Sequence, residues 1–109
     1  MNNFYVYIYL DPMKSGKFIY QDLIFKFEPI YVGKGIGDRI NKSMFDKKNI
    51  FKLNKISKII NEGFDIIKIK LYENLKEDEA FFKEIETIHK IGKLISKNVP
   101  LVNILIMTL

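Results

Sequence analysis

Cysteine is absent from the 109-residue chain, which excludes disulfides and thiolate metal sites. There is one histidine, too few for a multi-histidine zinc site. Any metal must therefore be held mainly by carboxylate, backbone and water oxygens, a donor set that suits a hard ion such as magnesium. Arginine is nearly absent too: Arg39 stands alone against seventeen lysines. No hydrophobic run is long enough to span a membrane; the apolar tail "ILIMTL" is far too short. The opening "MNNFYVYIYLDP" lacks the basic and apolar regions of a signal peptide. An intracellular, soluble protein is expected.

What is present is ordinary globular composition, with 48% hydrophobic and 28% charged residues. The length fits one domain over residues 1–109, large enough to bury a core. The net charge of +5 is compatible with a nucleic-acid partner. Nineteen isoleucines beside seventeen lysines are equally what AT-rich coding produces.

Residues 4–10, "FYVYIYL", are aromatic and β-branched and predict a strand, with "DPMKSGK" as a turn after it. A second extended stretch, interrupted at Pro29, completes an antiparallel hairpin with a long ladder. Residues 33–38 predict a glycine-rich turn, and Asp38 a cap for a helix starting at Arg39. "IFKLNKISKIINEG" predicts a helix with Ile56, Ile59 and Ile60 on its apolar face and Gly63 as its stop. Residues 64–72 alternate as a third strand. The longest helix follows, with Asn74 and Glu77 spaced as a capping box. Beyond Pro100, "LVNILIMTL" is a candidate last strand. The fold class is α+β: an antiparallel sheet of about three strands flanked by helices.

Two features carry chemistry. "YVGKGIGDR", residues 31–39, has neither the G-x-G-x-x-G of a Rossmann loop nor a Walker spacing. A plain turn would explain its glycines but not Tyr31, Lys34 and Arg39 around them, where a phosphate could approach closely. On the long helix, at about 100° per residue, Ala80, Phe81, Ile85, Ile88, Ile91 and Ile95 share one face. Glu84 falls in the middle of that stripe. A core-facing carboxylate is costly unless it is paired or binds a metal, so a structural salt bridge and a functional site are both open. His89 lies just off the stripe and predicts a solvated or half-buried side chain. Tyr5, Tyr7 and Tyr9 share one face of the first strand, opposite Val6, Ile8 and Leu10.

Together these residues resemble the GIY-YIG endonuclease family. "YVY" at 5–7 is similar to its first signature, and "YVG" at 31–33 to its second. An arginine follows eight residues after Tyr31. "EAFFKE", 79–84, resembles the late helix whose last glutamate holds the metal, and "PLVN", 100–103, the segment ending in a late asparagine. "FYVYIYLDP", "YVGKG" and "PLVN" look most like the branch found in LEM-domain nucleases and related phage and bacterial proteins, which implies a bacterial or phage-encoded cytoplasmic protein.

The resemblance implies roles. Tyr7 is a candidate general base or water-orienting group. Tyr31 orients water or the scissile phosphate. Lys34 acts on a tyrosine's pKa, Arg39 stabilises phosphoryl charge, Glu84 is the single ligand of magnesium or manganese, and Asn103 organises the site. One carboxylate can hold such an ion when DNA oxygens and waters complete the shell. An arginine fork suits phosphate better than lysine does.

The chain departs from the family pattern at Tyr5, where the family name has glycine. It departs again at Ser43, where many members place a histidine or tyrosine, and it stops soon after Asn103. The function expected is a metal-dependent DNA endonuclease, with Lys34, Arg39, Lys52, Lys55 and Lys58 gripping DNA in a salt-sensitive way. The alternatives are an inactive DNA-binding module of the same fold and a binder of small phosphate ligands. So small a domain offers little surface for reading a long site, and a protein partner or a homodimer could supply specificity.

Overall fold

The computed structural model describes residues 2–98, with side chains to residue 92. The expected last strand, Asn103, and the side chain of Ile95 lie outside the described residues. Along the described chain come β1 (Phe4–Tyr20), β2 (Leu23–Ile36), α1 (Arg39–Lys42), a 3₁₀ turn (Ser43–Phe45), α2 (Ile50–Asn61), β3 (Ile67–Leu75) and α3 (Glu77–Asn98). The three strands form one antiparallel sheet in the order β2-β1-β3. The architecture is the expected α+β arrangement.

The hairpin is longer than the sequence predicts. "DPMKSGK" does not turn; β1 runs through it to Tyr20, with register shifts between Asp11 and Phe18. The chain reverses at Gln21, which takes a left-handed φ of 58°. Pro29 does not interrupt β2 either. It pairs with Leu10 at a register shift that leaves Ile30 as the extra residue. Because β2 is an outer strand, a residue without an N–H costs it little there.

The segment 33–36 is strand, not turn. Tyr31, Gly33 and Gly35 lie opposite Tyr9, Tyr7 and Tyr5 in the β1–β2 ladder. The Y-x-G-x-G pattern is thus one face of a strand, with period two. A Cβ on Gly33 would sit 2.5 Å from Cζ and Oη of Tyr7, and one on Gly35 2.7 Å from Cβ of Arg39. The glycines make room for those two side chains.

β3 begins three residues later than expected, and Asn74 belongs to it with φ of 59°. The capping interaction of α3 is displaced accordingly: the Lys76 N–H donates to Oε1 of Glu79 at 2.8 Å. Asp38 flanks α1, but its carboxylate accepts from the side-chain amide of Asn41 rather than from a backbone N–H. Asn49 caps α2 by accepting from the Lys52 N–H at 3.1 Å. Gly63 ends α2 as predicted, with φ of 89°.

Two cores form on the two faces of β1. Val6, Ile8 and Leu10 pack with Val32 and with Ala80, Ile88 and Ile91 of α3. Tyr5, Tyr7 and Tyr9 pack with Met44, Ile56, Ile59 and Ile66. Two predicted core residues lie outside: Ile60 is 42% exposed and Phe81 is 38% exposed. Among the described residues no helix is long and apolar enough to cross a membrane.

Candidate active site

The tyrosine face opens into a cleft of about 350 Å³. Tyr7 of β1, Tyr31 and Lys34 of β2, Arg39 of α1 and Glu84 of α3 all line it. Five of the six expected site residues therefore meet, although as many as 77 positions separate Tyr7 from Glu84 in the chain. Asn103, the sixth, lies outside the described residues. Asp46, Lys48, Asn49, Lys52 and Phe81 complete the wall.

The neighbours of Tyr7 position the arginine. Tyr5 Oη donates to the Gly37 carbonyl at 2.7 Å and accepts from the Ile40 N–H at 2.9 Å. Tyr9 Oη donates to the Ile40 carbonyl at 2.6 Å. Two tyrosine hydroxyls thus bracket the backbone that carries Arg39. Its guanidinium donates to Asp46 Oδ2 at 2.9 Å, which fixes the side chain. Asp46 also accepts from the Lys48 N–H at 3.0 Å, and these two bonds hold its carboxyl below the ordinary range.

Tyr7 lies between Tyr5 and Tyr9 and keeps its hydroxyl at the cleft. Its ring centroid is 6.1 Å from that of Tyr31. Burial, reinforced by Tyr31, pushes the Tyr7 phenol well above its ordinary value. Tyr31 is pushed up to about 12 by burial, then by the charge of Glu84. Both phenols hold their protons at neutral pH.

Glu84 is 6% exposed. Burial raises its carboxyl to about 7, against the opposing charge and backbone N–H of Lys34. Among the described residues no side chain forms an ion pair with it: Lys34 Nζ lies 3.9 Å from Glu77 instead. Nor do the described residues contain a cluster of three or more His, Cys, Asp or Glu side chains. Among the described residues, what the cleft offers a cation is one buried carboxylate that no side chain holds in an ion pair. That donor set fits a hard ion whose other ligands are water and substrate oxygens.

The three lysines expected on one face of α2 are divided. Lys52 is buried at 3% exposure, with Nζ donating to Ser43 Oγ at 2.8 Å and lying 4.1 Å from the Tyr31 ring centroid. Lys55 Nζ is 3.1 Å from the buried Asp11 carboxylate. Of the three, Lys58 alone is exposed. The expectation of a continuous basic face fails because Lys52 shares the inward stripe of Ile56 and Ile59, at i, i+4 and i+7. That same spacing was the available signal for Lys52 as a site residue. His89 is exposed on α3, as predicted.

Comparison with known proteins adds one match. A family model described as the LEM-3-like GIY-YIG domain matches residues 4–103. No curated protein and no solved structure matches the chain significantly. The match spans β1 through α3 and beyond, including every residue that lines the cleft. Sheet, cleft and matched span agree: the chain belongs to the GIY-YIG nuclease family, with a LEM-3-like domain over residues 4–103.

Proposed function

We propose that this chain is a single nuclease domain that hydrolyses DNA phosphodiester bonds with one divalent metal ion. The observation that carries this reading is the convergence of Tyr7, Tyr31, Lys34, Arg39 and Glu84, from four separate elements, on one cleft. Arg39, oriented by Asp46, places its guanidinium against the scissile phosphate, where charge develops during displacement. It carries that charge at any working pH. Lys34 adds a second cation at the cleft wall. The protonated hydroxyls of Tyr7 and Tyr31 orient the attacking water and a phosphoryl oxygen.

Glu84 holds magnesium or manganese, and a cation beside it favours its ionised form over the protonated one. When bound, the ion supplies positive charge beside the phosphoryl and leaving oxygens. The exposed Lys58 and the cleft-lining Lys48 hold the DNA backbone, and their contacts weaken as salt rises.

A second reading, a DNA-binding module that does not cut, is favoured by one observation. Ser43 is buried and bonded to Lys52, so the position where many family members carry a histidine or tyrosine presents no base of its own. Labelled duplex and branched DNA incubated with magnesium separate the two. Cleavage by the wild type, lost in Arg39→Ala and Glu84→Ala, is the result expected of the nuclease. Intact DNA on every substrate, with salt-sensitive retardation, would overturn it in favour of the binding module.

A further inference from the structure

Among the described residues Lys52 is the one buried amine in the cleft, and the roles assigned above leave it unused. Its stem enters from the first turn of α2, packed so that the side chain is 3% exposed. Its Nζ rests 4.1 Å from the Tyr31 ring centroid and is aimed by a 2.8 Å bond to Ser43 Oγ. The groups facing the cleft with it are Tyr7 from β1, Tyr31 and Lys34 from β2, Arg39 from α1, Asp46 and Lys48 from the next segment, and Glu84 from α3. Neither carboxylate neutralises it. Asp46 is committed to Arg39 at 2.9 Å and to the Lys48 N–H at 3.0 Å. No ion pair to Lys52 forms among the described residues.

An amine buried without a counter-ion favours its neutral form. Burial brings Lys52 down to about 8, with Asp46 opposing and Arg39 assisting. The other groups are worse placed to accept a proton. The phenols of Tyr7 and Tyr31 are shifted upward, Lys34 leans toward Glu77, and Glu84 is assigned to the metal.

We propose that Lys52, as a neutral amine aimed by Ser43, is the general base that takes the proton from the attacking water. The inference rests on the nuclease reading above. The water's O–H bond breaks and its proton forms the Lys52 ammonium, while its oxygen forms the new P–O bond. The opposite P–O bond breaks, its electron pair leaves with the departing oxygen, and that oxygen takes a proton from solvent. The ammonium then returns its proton to solvent. Lys52 is a catalytic residue in this scheme, and Ser43 is a positioning residue. A lysine base supplied from α2 accounts for a serine at position 43.

The test is single-turnover cleavage by the full chain across pH, with circular dichroism and DNA retardation as controls on folding and binding. The wild-type rate should climb with pH and level off above about 8. Lys52→Arg keeps the charge and a donor to Ser43 but does not deprotonate. It should bind DNA normally, cut about 10²–10⁴-fold more slowly, and lose that limb of the profile. Primary amines added to Lys52→Ala should restore cutting in proportion to their basicity. Ser43→Ala should cut more slowly than wild type while keeping the limb. The Lys52 side chain, followed by NMR in the wild type, should titrate near the same pH as the rate. Cutting by Lys52→Arg within about threefold of wild type, with an unchanged profile, would overturn the proposal and leave the nuclease reading standing. A Lys52 titration near the ordinary lysine value of 10.5 would do the same. If the wild type cuts no substrate at all, the nuclease reading fails first and this proposal with it.

Discussion

β1 presents two faces to two different environments. On one, Val6, Ile8 and Leu10 meet Ala80, Ile88 and Ile91 in an apolar layer. On the other, one residue out of phase, Tyr5, Tyr7 and Tyr9 pack against Ile56 and Ile59, with Tyr7 lining a polar cleft and the hydroxyls of Tyr5 and Tyr9 bonded to the backbone at Gly37 and Ile40. The first face gains stability by removing apolar surface from water. The second gives some of that up, since it buries Glu84 and Lys52 without an ion pair for either among the described residues. Buried ionisable groups of this kind cluster where chemistry is done. Strand alternation thus lets one segment serve as both core and site.

The largest effect on cleavage is expected at the polar face. Arg39→Ala should slow cleavage on the order of 10³-fold, as loss of one charge-stabilising donor does, while leaving the urea midpoint nearly unmoved. A parallel fall in midpoint and rate would mean that Arg39 is structural. On the apolar face the signs reverse. Ile88→Ala should cost about 2–5 kcal/mol by denaturant unfolding, with the rate per folded molecule preserved.

Glu84→Gln sharpens the contrast by moving stability the other way. Glu84 titrates at about 7 in the fold against 4.5 as its ordinary value. The folded state therefore binds the proton more tightly between those pH values, and stability falls as pH rises through that window. Without divalent metal, Glu84→Gln should be the more stable protein at pH 8, by up to about 3 kcal/mol, and the gap should close toward pH 4. A wild type equally stable at both pH values relative to the variant would remove the buried charge from the account. Millimolar magnesium or manganese should raise the melting temperature of wild type and not of Glu84→Gln.

Gly33→Ala should act where the two strands touch. Its Cβ would displace the Tyr7 ring, costing about 1–3 kcal/mol and slowing cleavage together. The smallest effect is expected at Lys58→Ala, which should reduce the salt slope of DNA binding by about one contact's worth without changing the cleavage rate at saturation. A slope unchanged within error would take Lys58 out of the DNA-binding surface.

The elements of the fold were legible where periodicity is strong, as in 4–10, in the α2 stripe of Ile56 and Ile59, and in the long α3. They were misjudged where local chemistry points one way and pairing another. "DPMKSGK" carries a proline and a glycine, yet the ladder carries β1 through it with bulges. Gly33 and Gly35 suggest a turn, yet they are strand residues facing Tyr7 and Arg39. Glu84 could be found because a carboxylate on an apolar stripe is anomalous. The same test applied to α2 singles out Lys52, which shares the stripe of Ile56 and Ile59. Tyr5, Tyr9 and Asp46 had no comparable signal. Their roles depend on where the chain returns after β2, which spacing alone does not fix.

In the function proposed here, the polar face performs metal-dependent phosphodiester hydrolysis through Glu84. The most direct measurement is magnesium-dependent cleavage of labelled branched and duplex DNA by wild type and Glu84→Gln, with retardation measured on the same samples. The expected result is that both proteins bind and only the wild type cuts. Glu84→Gln cutting at the wild-type rate would contradict the claim.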